Sequence, residues 1–331
     1  MSERRKPGEF ELIERYFAPL SADQPGAFGL TDDAAVLEMA AGRRLVFSLD
    51  TLVAGIHFHE DEPAETTAAK LLRVNLSDLA AMGAVPLAYT LSTALPENVD
   101  DDWLEGFARG LAADQETFRI TMVGGDTVAT PGPLILTLAI LGTVGEEGEL
   151  RRSAAEPGDT VFVSGTIGDG ALGLMARRGD LEAVGREERE FLVERYRRPE
   201  PRLALGQRLI GPAHAAIDIS DGLVADLGHV CRASSVAATI DAPRLPLSPA
   251  ARAALAAEPQ LIERIMTGGD DYELLFTAPP RARAAVEALS GETGVAVTAI
   301  GEIVDSGTGV VRVLDANGQE LTFERPGYRH F

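Results

Sequence analysis

The chain has 331 residues, 45% of them hydrophobic, enough for about two domains with real cores at roughly 100–200 residues per domain. Lys and Arg number 30 against 51 Asp and Glu, a formal charge of −21 that excludes nucleic acid and anionic membrane surfaces as natural partners. The single cysteine, Cys231, excludes an intramolecular disulfide and a Cys-rich metal centre, and reads as a small buried residue in a helix.

The first residues, Met-Ser-Glu-Arg-Arg-Lys-Pro-Gly, lead into no apolar signal region, and no apolar run reaches membrane-spanning length. A soluble cytoplasmic protein is expected. Residues 8–18 carry a short amphipathic helical pattern, and a Pro/Gly loop follows to Gly29. Thr31-Asp32-Asp33 leads into an apolar strand at 34–37, and residues 44–51 form a second strand ending on Asp50 and Thr51. Next comes the stretch from Lys70 to Met82, a helix stopped by Gly83. Projected at 3.6 residues per turn, Leu71, Leu72, Asn75, Asp78, Leu79 and Met82 share one face, with Lys70, Arg73, Ser77 and Ala81 opposite. An ionised carboxylate on an apolar face is costly without a partner, so a cationic group is expected across from Asp78.

Residues 87–95 read as a strand stopped by Pro96, and 101–117 as a helix with acids at its N-terminus. A strand from Arg119 breaks into Gly124-Gly125-Asp126-Thr127, and 134–142 is apolar enough to be a strand covered on both faces. Composition shifts over 146–159, which places a boundary near residue 150 and predicts domains 1–150 and 151–331. Beyond it lie a strand at 160–164, a helix at 168–178, a charged solvated helical region at 179–200 and a helix at 202–210. The buried strand 215–218 ends on Asp218 and is followed by Asp221-Gly222 and a helix from Leu223. Gly268-Gly269-Asp270-Asp271 repeats the order of glycines, acids and strand. A helix at 279–289 and an alternating tail from Val295 close the chain. Both halves mix strands and helices, an α/β or α+β class.

Acids therefore recur at the ends of buried elements: Asp32-Asp33, Asp50, Asp78, Asp126, Asp218, Asp221 and Asp270-Asp271. If they converged unaided, repulsion would cost about 4 kcal/mol per pair ~4 Å apart at an effective dielectric of ~20. Divalent cations remove that cost, and hard oxygen donors with few histidines favour Mg²⁺ over zinc. Gly168–Gly173 fits G-x-G-x-x-G after a strand, a rival dinucleotide signal, but the acid-ended strand about 20 residues on is missing. That loop retains the option of cradling a phosphate on backbone N–H groups. No G-x-x-x-x-G-K-[ST] occurs.

Taken in order, Asn75-Leu-Ser-Asp-Leu-Ala-Ala-Met-Gly83, Gly124-Gly-Asp-Thr127, Ser164-Gly-Thr-Ile-Gly-Asp-Gly170, Ile217-Asp-Ile-Ser-Asp-Gly222 and Gly268-Gly-Asp-Asp-Tyr-Glu-Leu274 resemble the thiamine-monophosphate kinases of the aminoimidazole-ribonucleotide-synthetase-like superfamily. The resemblance runs over essentially the whole chain. It implies a two-domain fold, with N-terminal α/β halves pairing their sheets into a dimeric β-barrel and C-terminal α/β halves outside. It implies ATP- and Mg²⁺-dependent phosphorylation of thiamine monophosphate to thiamine diphosphate, the last step of that cofactor's synthesis. By position it implies Mg²⁺ ligands at Asp33, Ser48, Leu49, Asp50, Asp78, Asp126, Asp218 and Asp221, with Asp78, Asp126 and Asp218 central to catalysis. Gly125, Asp126, Arg152 and Ser220 would contact ATP, and His57, Asp270 and Tyr328 would line the thiamine phosphate pocket.

Three residues depart from the family pattern: Thr31 stands for a glycine, Leu49 for a threonine and Asp270 for a glutamate. Leu49 can reach a metal only through its carbonyl. His57 alternates with His59, so one of the two is expected to face solvent. The acceptor phosphate is already ionised and needs no general base, so positioning and charge neutralisation suffice for direct in-line transfer. Rival readings are aminoimidazole ribonucleotide synthetase or selenophosphate synthetase within the superfamily, an NAD-dependent oxidoreductase, and a non-catalytic nucleotide binder.

Overall fold

The computed structural model describes residues 9–32, 34–305 and 307–328. It divides into two compact units, Met1–Leu76 with Val85–Glu146, and Ser77–Ala84 with Glu147–Phe331.

In the first unit, α1 (Glu9–Leu12) runs on through a π turn at Ile13–Phe17 and a 3₁₀ turn at Ala18–Ser21, burying Leu12, Tyr16, Phe17 and Leu20. The apolar strand expected at 34–37 does not form. That segment docks instead on the preceding loop, where the Val36 N–H donates to the Gly26 carbonyl at 2.8 Å. The remaining elements are β1 (Arg44–Val53), α2 (Ala64–Ala81, its residues from Ser77 on counted with the second unit), β2 (Val85–Leu95), α3 (Asp101–Phe118), β3 (Thr121–Ala129) and β4 (Ile135–Val144). Asp100 caps α3 by accepting the Trp103 N–H at 2.8 Å. The four strands form one open sheet in the order β1-β4-β2-β3, with β2 and β3 parallel and the other pairs antiparallel. No closed barrel occurs among the described residues.

Two expectations are corrected here. β4 is not covered on both faces: burial alternates along it, with Leu136, Leu138 and Ile140 fully buried and their neighbours only partly so. Its outward positions are Ile135, Thr137, Ala139, Leu141 and Thr143, which hydropathy alone does not separate from core. Nor does α2 have a polar face. Lys70 and Ser77 are as buried as Leu71 and Leu72, so the helix is covered on all sides. Some of its polar groups are held by protein: the Asn75 amide donates to the Leu71 carbonyl at 2.9 Å and the Ser77 hydroxyl to Asp218 at 2.8 Å. The Arg73 guanidinium forks onto the Asp114 carboxylate of α3 with two bonds of 2.8 Å.

The second unit contains β5 (Thr160–Ser164), α4 (Asp169–Arg178), α5 (Arg186–Arg197), α6 (Leu203–Leu209), β6 (Ala215–Asp218), α7 (Leu223–Ser234), β7 (Ala237–Asp241), α8 (Pro249–Ala257) and α9 (Leu261–Thr267). It closes with β8 (Leu274–Ala278), α10 (Arg283–Thr293), β9 (Val297–Val304), β10 (Val311–Leu314) and β11 (Glu320–Leu321). These strands form a mixed sheet in the order β11-β10-β7-β9-β5-β8-β6. Alternation splits each central strand between two cores. Val161, Val163, Ile217 and Leu275 enter one, while Phe162, Ala216, Leu274 and Phe276 enter the other. The Phe162 and Phe276 rings stack with centroids 5.4 Å apart. β5 is antiparallel to both neighbours, which removes the βαβ unit that a dinucleotide fingerprint after it would require. Among the described residues no helix is long and apolar enough to cross a membrane.

Candidate active site

The densest chemistry in the second unit gathers where β6 ends. Asp218, the last residue of β6, is 4% exposed and accepts the Ser77 hydroxyl at 2.8 Å. Ser77 lies in the last turns of α2, and Asp78 follows it. Burial, and next the negative charge of Asp78, raise the Asp218 carboxyl well above the usual carboxylate range, against the pull of the Ser77 hydroxyl and of Arg152. The Asp218 carboxyl thus feels the negative charge of Asp78 and, in the opposing sense, the Arg152 guanidinium. Two carboxylates and a hydroxyl in one electrostatic neighbourhood, one of the carboxylates buried, make a hard-oxygen donor set that fits Mg²⁺.

Beyond Asp218 the chain turns sharply into α7. The N–H groups of Ser220, Asp221 and Gly222 all donate to one oxygen of Asp226, each at 3.1 Å. Asp226 sits in the first turn of α7, and burial with the Asp221 charge pushes its carboxyl up to about 7. Asp221, Asp226 and His229 place ligand atoms within 4.8 Å of one another. The Asp226 oxygen is taken by the three amides, and His229 Nδ1 pairs with Arg232 at 3.1 Å.

The carbonyls of the same turn hold two other segments. Ile219 and Ser220 accept the N–H groups of Tyr272 and Asp270 at 2.8 and 2.9 Å, and Asp221 accepts that of Tyr328 at 3.0 Å. Asp270 (φ +64°) and Tyr272 (φ +51°) both lie in the left-handed region that side chains avoid, so the 268–272 loop is held under strain against this turn. Arg152, Ser220, Asp270 and Tyr328 thus occur around one turn of one unit.

The glycine loop before α4 is closed to a phosphate. The Gly168 and Gly170 N–H groups donate to Asp271 at 2.7 and 2.9 Å, so the protein's own carboxylate fills the helix N-terminus. Burial pushes Asp271 up to about 8. Glu273 is fully buried, with bonds from Ser164 at 2.6 Å, Arg195 at 2.9 Å and Arg202 at 2.7 Å. Residues 179–200 are therefore not simply a solvated face. α5 buries Leu192 and Tyr196, and its Arg195 is 12% exposed. Sequence reading passed over Asp226, Glu273, Arg195 and Arg202, and took Asp271 only as one of the recurring acids. The available signal was an acid run beside glycines with arginines spaced through a helix; the pairings themselves lie up to about a hundred residues apart.

In the first unit the remaining expected residues fall into separate groups. Ser48 and Asp50 pair across with Ile140 and Leu138, on the buried face of the sheet, while Leu49 points to the opposite, exposed face. Asp126 lies within β3, which runs unbroken through Gly124 and Gly125 to Ala129 rather than breaking there. Its register partner is Ser92, and through Thr137 and Thr51 it shares the face opposite Asp50. Gly125 is required there, since a Cβ would come within 2.0 Å of the Leu91 carbonyl. Gly125, Asp126, Thr127 and Asp32 line a cleft of about 400 Å³ whose walls are Ile13, Phe17, Leu91 and Met122. Asp33 lies outside the described residues. His57 Nδ1 accepts the Val53 N–H at 3.0 Å, which leaves the proton on Nε2. His57 and His59 are both half-buried, and the His59 Nε2 is buried without a partner.

Comparison with known proteins adds the family. Residues 31–144 match the model for the AIR synthase related protein N-terminal domain, and 156–314 that for the C-terminal domain. A curated thiamine-monophosphate kinase of Caulobacter vibrioides is 43% identical over 98% of this chain and 91% of its own. This chain belongs to the thiamine-monophosphate kinase family. A crystal structure of the Stenotrophomonas maltophilia family member is 42% identical, with a TM-score of 0.83 over 94% of this chain and 96% of that one. Another family structure, AaThiL complexed with AMPPCP and TMP, is 30% identical, with a TM-score of 0.77 over the full length of both chains.

Proposed function

We propose that the chain transfers the terminal phosphoryl group of ATP to thiamine monophosphate, giving thiamine diphosphate and ADP, by direct in-line displacement without a phosphoenzyme. The observation that carries this is the 43% identity over 98% of the chain to a curated thiamine-monophosphate kinase. A family member complexed with AMPPCP and TMP, similar over the full chain, supports both substrates.

Asp33, Ser48, Leu49 through its carbonyl, Asp50, Asp78, Asp126, Asp218 and Asp221 would hold Mg²⁺. The buried Asp218 beside Asp78 supports that assignment, because a divalent ion reverses the repulsion that raises the Asp218 carboxyl. Bound Mg²⁺ supplies neutralisation of polyphosphate charge. The chain's own residues do the rest. Gly125 and Asp126, which line a cleft with apolar walls, would contact ATP, as would Arg152 and Ser220. His57, Asp270 and Tyr328 line the thiamine phosphate pocket. No side chain is asked to remove a proton, since the attacking group is an ionised phosphate.

We assign dimerisation and most of the metal and ATP site to residues 1–150, and the glycine loop and most substrate contacts to 151–331, with His57, Arg152 and Ser220 among the exceptions. Leu45, Phe47 and Leu49 stand 51%, 61% and 51% exposed along one face of the edge strand β1, an apolar row that supports a homodimer pairing its sheets into a barrel. The location is cytoplasmic.

Incubation with ATP, Mg²⁺ and thiamine monophosphate, followed by chromatography, is expected to yield thiamine diphosphate and ADP in equal amounts. ATP binding without turnover would reduce the protein to a nucleotide binder. Recovery of labelled protein after exposure to ATP alone would replace in-line transfer by a covalent route.

A further inference from the structure

Asp226 is 2% exposed, and its bonded oxygen faces backbone rather than solvent. One of its oxygens accepts three successive backbone N–H groups, from Ser220, Asp221 and Gly222, each at 3.1 Å. Three consecutive amides converging on one oxygen fold the chain around that atom, as a ring of N–H groups folds around a bound anion. With its N–H groups turned inward, the turn presents carbonyls elsewhere. The Ser220 carbonyl accepts from the Asp270 N–H at 2.9 Å and the Asp221 carbonyl from the Tyr328 N–H at 3.0 Å, while Ile219, one residue earlier, accepts from Tyr272 at 2.8 Å. Close packing leaves these segments one arrangement. A Cβ on Gly269 would come within 2.3 Å of the Ser220 carbonyl, and one on Gly327 within 2.4 Å of the Ala225 Cβ and 2.8 Å of the Asp221 carbonyl. The segments 269–272 and 327–328 are thus seated on a turn whose shape is set from behind.

We propose that Asp226 is a positioning residue that couples the nucleotide-and-metal turn, Asp218–Gly222, to the two segments that present Asp270 and Tyr328 to thiamine monophosphate. The proposal rests on the functional reading above for the identity of the substrate, while the coupling itself is a property of the chain. Asp226 touches no substrate. Its carboxylate holds the turn's amides, and the turn's carbonyls hold Asp270 and Tyr328.

Two readouts test it, one independent of activity. Hydrogen exchange followed by mass spectrometry on wild type and Asp226→Asn is expected to show faster exchange at 220–222 and, together with it, at Asp270, Tyr272 and Tyr328. Acceleration confined to 220–222, or none, overturns the coupling whatever the enzyme's substrate proves to be. In steady-state kinetics, Asp226→Asn is expected to raise KM for thiamine monophosphate about tenfold, and to raise it far less in a Tyr328→Ala background. Effects that multiply in full would mean that Asp226 acts on the fold alone. If Asp226→Asn does not accumulate folded, Gly327→Ala approaches the same coupling from the tail. Faster exchange at both Tyr328 and 220–222 supports the proposal, and a change at Tyr328 alone overturns it. Absence of any turnover with thiamine monophosphate in the wild type would fail the functional reading and leave the exchange result standing.

Discussion

At the scale of single residues, buried carboxylates differ in what they meet: backbone amides, arginines or another acid. Asp226 and Asp271 swallow consecutive or near-consecutive amides; Asp218 meets a hydroxyl and another acid. A bound cation would relieve the last arrangement. Asp78→Asn keeps the shape of the side chain and removes its charge. It is expected to lower turnover by about a hundredfold or more while circular dichroism and melting stay near wild type. Near-normal turnover would make Asp78 a structural acid. Asp271 bears on stability instead. Its folded carboxyl, raised to about 8 by burial, lies above the unfolded value, so its contribution is present at low pH and is lost as pH rises towards about 8. Asp271→Asn is expected to flatten the fall in unfolding free energy between about pH 4 and 8, read from urea titrations across that window. An unchanged pH slope would place the native titration elsewhere.

At the scale of elements, close helix packing at glycines sets the first unit's geometry. A Cβ on Gly110 of α3 would come within 2.7 Å of the Glu65 carbonyl and 2.8 Å of the Ala68 Cβ on α2. Gly110→Ala is expected to destabilise by about 1–3 kcal/mol, read as a lower denaturation midpoint, because backbone cannot give way as a flexible side chain can. No change would mean the helices separate without cost. Helix and strand placement was legible from periodicity at β1, β2, α3, β5, β6 and α7, where hydrophobic pattern and turn residues agree. It failed at 34–37, where Val36 satisfies its backbone on a loop, and at 119–129, where the Gly124-Gly125 pair reads as a break but serves close strand approach. Two further helices, α8 and α9, escaped because runs of alanine and short amphipathic segments carry little periodic contrast.

At the scale of the whole molecule, charge and exposed apolar surface point in opposite directions. A formal charge of −21 opposes self-association, yet Leu45, Phe47 and Leu49 line an open edge strand. Phe47→Asp is expected to convert a dimeric sedimentation profile to that of a single chain, with activity falling in parallel if the pairing completes the site. A monomeric wild type at micromolar concentration would remove the dimer from the proposal.

The order of glycine-and-acid motifs is a property of the linear chain, and it alone was enough to place the protein in its family and to nominate most of the acids. Which of those acids meet was decided only in three dimensions. Ser77 reaches Asp218 across 141 positions and Ser164 reaches Glu273 across 109, while Asp126 and Asp50 alternate to opposite faces of one sheet. Such pairings depend on strand register and helix burial, which cost and return free energy through contacts distant in sequence. A motif records what a residue can do chemically, and packing determines whether a metal, an arginine or the backbone itself is there to receive it.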